Sequence, residues 1–182
     1  MKLLFTTLLA ALLVMTAAHG DQRNPELDEL FALLQSAADS EEAQAISRQI
    51  WANWYQHDDA EIERLMASGE TALRRGRLKA AAAIYSRVVK RDPEFAEGWN
   101  RRATTWYLMG RYAEATADVA ATLALEPRHF GALSGQGMIY MRLNNPDKAI
   151  EHMAKALAVY PRMPGVRETM ETLKQQRRDA VI

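Results

Sequence analysis

The sequence predicts an all-α solenoid of helix–turn–helix units, and three observations carry that expectation. Pro93, Pro127 and Pro161 recur at a 34-residue interval. Seventeen residues before each stands a residue that tolerates a left-handed backbone: Gly76, Gly110 or Asn144. Twelve before each stands an alanine, Ala81, Ala115 or Ala149. Two more registers keep step, one of small residues (Gly69, Ala103, Gly137) and one of bulky apolar ones (Leu65, Trp99, Leu133). Registers held over three copies mark units that bury a continuous core by stacking.

The elements follow in chain order. Residues 1–20 open with Lys2, continue as an apolar run from Leu3 to Ala18, and end in small residues. That order is the layout of a secretory signal peptide, with cleavage after Ala18 or after Gly20. The run is shorter than the roughly 18–20 residues that cross a bilayer, so the expected product is exported, with no membrane insertion once the signal is removed. Residues 21–61 hold a helical pair over 25–37 and 40–56. Leu27, Leu30, Phe31 and Leu34 lie at helical spacing in the first helix, and Ile46, Ile50, Trp51 and Trp54 in the second. Asp39 with Glu42, and Asp58 with Glu61, have the capping-box offset. The pair lacks the Gly and Ala registers, so it is expected as a divergent hairpin stacked on the first repeat.

Three repeats follow, 62–95, 96–129 and 130–163. In each, the Gly or Asn register ends the first helix. The small residues let the two helices approach closely, with Trp99, Trp106 and Tyr112 filling the space around that contact in the second copy. The proline ends the second helix, because the residue before a proline is pushed out of helical geometry. Asn145 followed by Pro146 reads as an N-cap with proline in the first turn. Residues 164–182 then give a capping helix with Val166, Met170 and Leu173 on one face, followed by a polar tail.

Composition narrows function by exclusion. Lys plus Arg, 23, equals Asp plus Glu, 23, over 182 residues, which lacks the basic excess that nucleic-acid binders carry. The absence of cysteine removes disulfide scaffolds, thiolate metal sites, cysteine nucleophiles and lipidated N-terminal cysteines. His19, His57, His129 and His152 include no pair at metal-ligand spacing on a helix. The glycines form no phosphate loop, and Ser134 beside Gly135 lacks the strand–turn–helix setting of a nucleophile elbow. Asp58, Asp59, Glu41 and Glu42 read as helix-start residues. The Arg101–Arg102 and Arg177–Arg178 pairs read as solvated or helix-stacking. No catalytic residue, cofactor or metal site is therefore expected.

These registers resemble the tetratricopeptide repeat family, whose pattern is a 34-residue helix–turn–helix. The copy 96–129 is most similar, with Trp99, Ala103, Trp106, Gly110, Tyr112, Ala115 and Pro127. The chain departs from the pattern at Arg102, Val119, Met153, Ala72 and Pro146. The resemblance implies a right-handed superhelix whose concave face takes an extended or helical peptide from a partner protein. It also points to small exported proteins of Gram-negative bacteria, hence a periplasmic or secreted location.

Helical geometry at about 100° per residue sets Glu97, Asn100, Thr104 and Tyr107 roughly 150° away from the Trp99 face. By the resemblance this second face is concave. Carried to all copies, the expected peptide groove is Met66, Glu70, Leu73, Asn100, Thr104, Tyr107, Ser134, Met138, Met141 and Arg142. The methionines suit a surface that accepts varied partners, or alternatively fill gaps between helices. The dicarboxylate clamp of chaperone adaptors finds only Asn100 in place; Met66, Glu70, Gly131 and Gly135 stand where its other polar and basic groups belong. The expected function is an adaptor of the bacterial cell envelope that binds a peptide or helix. The alternative is an assembly subunit that oligomerises through its end helices, marked by exposed apolar residues on 25–57 or 163–175.

Overall fold

The computed structural model describes residues 21–179; the segment 1–20, expected above to be a signal peptide, lies outside the described residues. Among those residues are nine α-helices and no strand. They are α1 (Glu26–Ser36), α2 (Ser40–Tyr55), α3 (Ala60–Arg74), α4 (Leu78–Arg91), α5 (Ala96–Leu108), α6 (Tyr112–Leu125), α7 (Phe130–Arg142), α8 (Pro146–Val159) and α9 (Val166–Asp179). Helices α3–α4, α5–α6 and α7–α8 are antiparallel hairpins stacked in sequence, and α9 lies on α8.

The turn register behaves as its residue types require. Gly76, Gly110 and Asn144 have φ of 67°, 72° and 53°, the left-handed region where glycine and asparagine pay little steric penalty. Beyond each, the next amide reaches back to close the helix: Arg77 N–H to Ala72 O, Arg111 N–H to Trp106 O and Asn145 N–H to Tyr140 O, all 2.9 Å. Asn145 caps α8 by accepting from the Lys148 amide, with Pro146 in the first turn. Small residues sit at the close approaches. A Cβ on Gly69 would lie 2.6 Å from the Tyr85 ring, and one on Gly137 2.9 Å from Met153. At the far end, Met153 and Leu157 of α8 pack with Met170 and Leu173 of α9.

Two local expectations are corrected. Asp59, not Asp58, is the N-cap of α3 and accepts from the Glu61 amide at 2.8 Å. The two adjacent carboxylates compete for one start, and His57 Nδ1 settles it by accepting the Asp59 amide at 2.9 Å. Trp99 is half-buried rather than a core residue. Its indole N–H donates to Pro93 O at 2.9 Å, and Arg102 lies 4.9 Å above the ring. Of the two readings of Arg102, solvated or helix-stacking, the second holds: it forks Asp118 of α6 at 2.7 and 2.8 Å and reaches Ser86 of α4.

The larger correction concerns α1–α2. The hairpin is not stacked on the first repeat. Its core residues Leu27, Phe31, Leu34, Ile50 and Trp54 pack with Phe130 and Tyr160, flanked by Val159 and Met163. It thus straps the edge where second helices hand over to first helices. Arg128 bonds Asp28 at 2.6 Å and lies over Phe31, and Arg162 holds the Ala37 and Ala38 carbonyls at 2.9 and 2.7 Å. The reason is what each surface offers. The outer face of α3–α4 presents exposed Ala67, Ser68 and Ala80 with half-buried Thr71, too little apolar area to bury two tryptophans. The edge offers two aromatic rings and aliphatic neighbours, and burial scales with apolar area.

Candidate functional site

Two regions share the concave side of α5 and α7: a polar centre sealed by the strap, and an open cleft beyond it. The centre begins with His129, which ends the loop from α6 and caps α7. Its Nδ1 accepts from the Ala132 amide at 3.1 Å, so the ring proton sits on Nε2 and faces Glu97 Oε2 at 3.0 Å. Asn100 Nδ2 donates to the same oxygen at 2.9 Å. Arg101 Nε lies 3.0 Å from Glu97 Oε1; neither atom has an aligned hydrogen-bond partner, so this is a charge contact. Arg101 also meets Glu70 at 3.4 Å, and its guanidinium lies 4.5 Å from the Tyr55 ring centre.

The strap closes this centre from above. Trp54 stacks on His129 with ring centres 4.0 Å apart and planes 8° from parallel, while Trp51 meets the same ring edge-on at 5.3 Å. Glu97 and His129 are 1% and 0% exposed. Burial holds the Glu97 carboxyl above its usual range, against the bonds from His129 and Asn100. Burial likewise lowers Arg101 to about 10. Such a network is costly unless satisfied, which ties the strap's placement to these partners.

The cleft opens past the sealed turns. It is about 270 Å³, lined by Asn100, Thr104, Tyr107, Leu108, Ser134, Gly135 and Met138, with Val119 and Ile139 among the deeper residues. Gly135 contributes its empty side: a Cβ there would have no neighbour within 4 Å. At the mouth, Arg142 Nε donates to Tyr107 Oη at 3.2 Å. Among the described residues Arg142 makes no ion pair.

The expected groove therefore divides. Asn100, Thr104, Tyr107, Ser134 and Met138 share the cleft, Arg142 bonds Tyr107 at its edge, and Met141 is exposed three residues beyond Met138 on α7. Met66 is instead in the core of the first repeat, and Leu73 packs against that core. Glu70 is drawn to Arg74 and Arg101. Met138 and Met141 are exposed, which separates them from buried gap-fillers such as Met66. Sequence reasoning placed Glu97 on the concave face without its burial, and His129 at a turn without its partner. An aromatic α2 outside the repeat registers was the available signal that something besides repeat stacking covers this face. For the assembly alternative, Leu33 is the one large apolar residue strongly exposed within the described parts of 25–57 and 163–175.

The described residues contain no grouping of His, Asp or Glu able to hold a metal ion, and no described helix is long and apolar enough to cross a membrane. His57 is engaged by Asp92 at 2.9 Å and by the Asp59 amide; His152 is half-buried beside Tyr140.

Comparison with known proteins gives a consistent picture. Residues 66–117 and 130–163 match the tetratricopeptide repeat family. A TPR repeat-containing protein of Rhizobium etli is 33% identical over 150 residues, which is 82% of this chain and 74% of that one. The first TPR of Spaghetti (RPAP3), solved with an HSP90 peptide, superposes with a TM-score of 0.62 at 19% identity. It covers 65% of this chain and 94% of its own. The type III secretion chaperone SycD of Yersinia enterocolitica, solved with a peptide of the translocator YopD, gives 0.62 at 12% identity, with 66% and 97% covered. At those identities the structural likeness is one of fold alone.

Proposed function

Because the chain belongs to the tetratricopeptide repeat family, we propose that it is a non-catalytic protein-interaction module that holds a short apolar segment of a partner protein in the α5–α7 cleft. One observation carries the reading. Two of the exposed large apolar side chains, Leu108 at the end of α5 and Met138 on α7, line this one cleft together, and Met141 is exposed three residues further along α7. Contiguous apolar exposure of this kind marks interaction surfaces, and methionine adapts to varied side chains. Arg142 at the mouth adds a cation that favours an acidic group on the partner. Peptide complexes of the two solved relatives support the same use of the fold.

The proposal extends to an exported adaptor of a bacterial cell envelope. The signal-peptide pattern of residues 1–20 and the bacterial relative support that setting. The partner's identity and pathway stay outside the proposal.

Gly135→Leu tests the cleft. The leucine enters open space and raises helix propensity, so the protein keeps its fold while the cleft is filled. Peptides selected from a phage-displayed random linear library on the wild-type protein are expected to lose binding to the variant by at least tenfold. Undiminished binding would place the interaction elsewhere.

A further inference from the structure

A side chain from outside the repeats abuts one end of the cleft. Gly131, in the first turn of α7, lines the cleft. The space where its Cβ would stand is taken by the Trp51 ring, whose Cη2 and Cζ2 lie 2.6 and 2.8 Å from that point. Trp51 is held there from three sides, edge-on to Trp54 at 5.2 Å, to His129 at 5.3 Å and to Phe130 at 5.5 Å. A glycine at 131 is thus what admits the tryptophan. Beside it, Tyr55 covers Arg101, and Glu97 is sealed beneath the strap. The cleft is closed beside Gly131, where Trp51 stands, and runs open from there toward the C-terminal turns of α5 and α7.

We propose that Trp51 is a specificity-determining residue, the stop that makes the α5–α7 cleft dead-ended and limits what it binds to a short extended segment. This rests on the peptide-binding reading above and adds the length and form of the ligand. The open strip runs from Gly131 to Arg142, about 16 Å at 1.5 Å per helical residue, which matches about five residues of extended chain. A cleft of about 270 Å³ falls just under the roughly 300–1,000 Å³ of small-ligand sites. It has room for a few side chains and not for a helix about 10–12 Å across. The occupant is therefore a chain end or exposed loop with an aliphatic side chain against Met138 and an acidic group toward Arg142. A long peptide running the full concave face, as an unobstructed repeat groove would allow, meets Trp51.

The test uses the full chain and a phage-displayed library of random twelve-residue linear peptides. Binders selected on the wild-type protein are mapped by alanine scanning. The essential positions are expected to fall within about five consecutive residues, the length that the strip's rise sets. Trp51→Leu keeps an apolar contact for the strap and removes the outer ring. Selection on this variant is expected to return longer footprints, and Trp51→Phe is expected to restore the short one. Wild-type footprints spread along most of the peptide, or identical footprints for wild type and Trp51→Leu, would overturn the stop and leave the peptide-binding reading standing. Failure of both proteins to select any peptide would overturn that reading and the stop with it. The wild-type footprint decides alone if the leucine variant does not fold.

Discussion

Trp54 and His129 lie face to face, 4.0 Å apart and 8° from parallel, and this contact joins the N-terminal strap to the polar centre of the repeats. Trp54 is 1% exposed and packs on Phe31 and Phe130 as well. Trp54→Ala is expected to cost about 3–5 kcal/mol, the range for truncating a buried large aromatic. Trp99→Ala, at a half-buried site on the repeat surface, is expected to cost only about 1–2 kcal/mol. Urea midpoints of the two variants, measured side by side, check the order. A larger loss for Trp99→Ala would contradict the packing described.

The buried carboxyl at Glu97 gives the protein a specific pH response. Burial raises its native pKa above the ordinary value of 4.5, so in that interval the folded state holds a proton that the unfolded state has lost. Stability from this group is therefore present at low pH and declines as pH rises through the raised value. Glu97→Gln keeps an acceptor for His129 and Asn100 and cannot ionise. The variant is expected to gain stability relative to wild type as pH climbs from about 4.5 toward neutrality. Thermal melts of both proteins across that range test the sign, and a constant difference would refute it.

The strap makes its own contacts and should loosen on its own. Arg162 holds two carbonyls at the end of α1. Arg162→Ala is expected to speed amide exchange through α1–α2 and to leave α3–α4 unchanged, since regions open in cooperative units. Equal loss of protection in α3–α4 would mean that the strap supports the first repeat directly.

The turn register allows a paired test. Gly110→Ala forces a Cβ into φ 72° and is expected to destabilise by about 1 kcal/mol or more. Asn144→Gly at φ 53° relieves a milder strain and is expected to be neutral or slightly stabilising. Equal effects of the two substitutions in thermal melts would sink this account of the register.

Sequence alone settled the repeats, because every feature that defines them is local. A proline ends a helix through its own ring, Gly110 and Asn144 turn the chain through their own dihedrals, and Ala115 leaves room for its neighbour within one hairpin. Part of the site was equally legible: Tyr107, Met138 and Arg142 follow from helical geometry on a single face. Tertiary structure decided where α1–α2 lies and how much of the concave face stays open. The apolar stripe through Ile50 and Trp54 states that α2 must be buried and not against what, since hydrophobic burial has no direction. The choice depended on comparing two distant surfaces, an Ala- and Ser-rich face of α3–α4 and an aromatic edge at Phe130 and Tyr160, and that comparison exists only once the repeats have stacked.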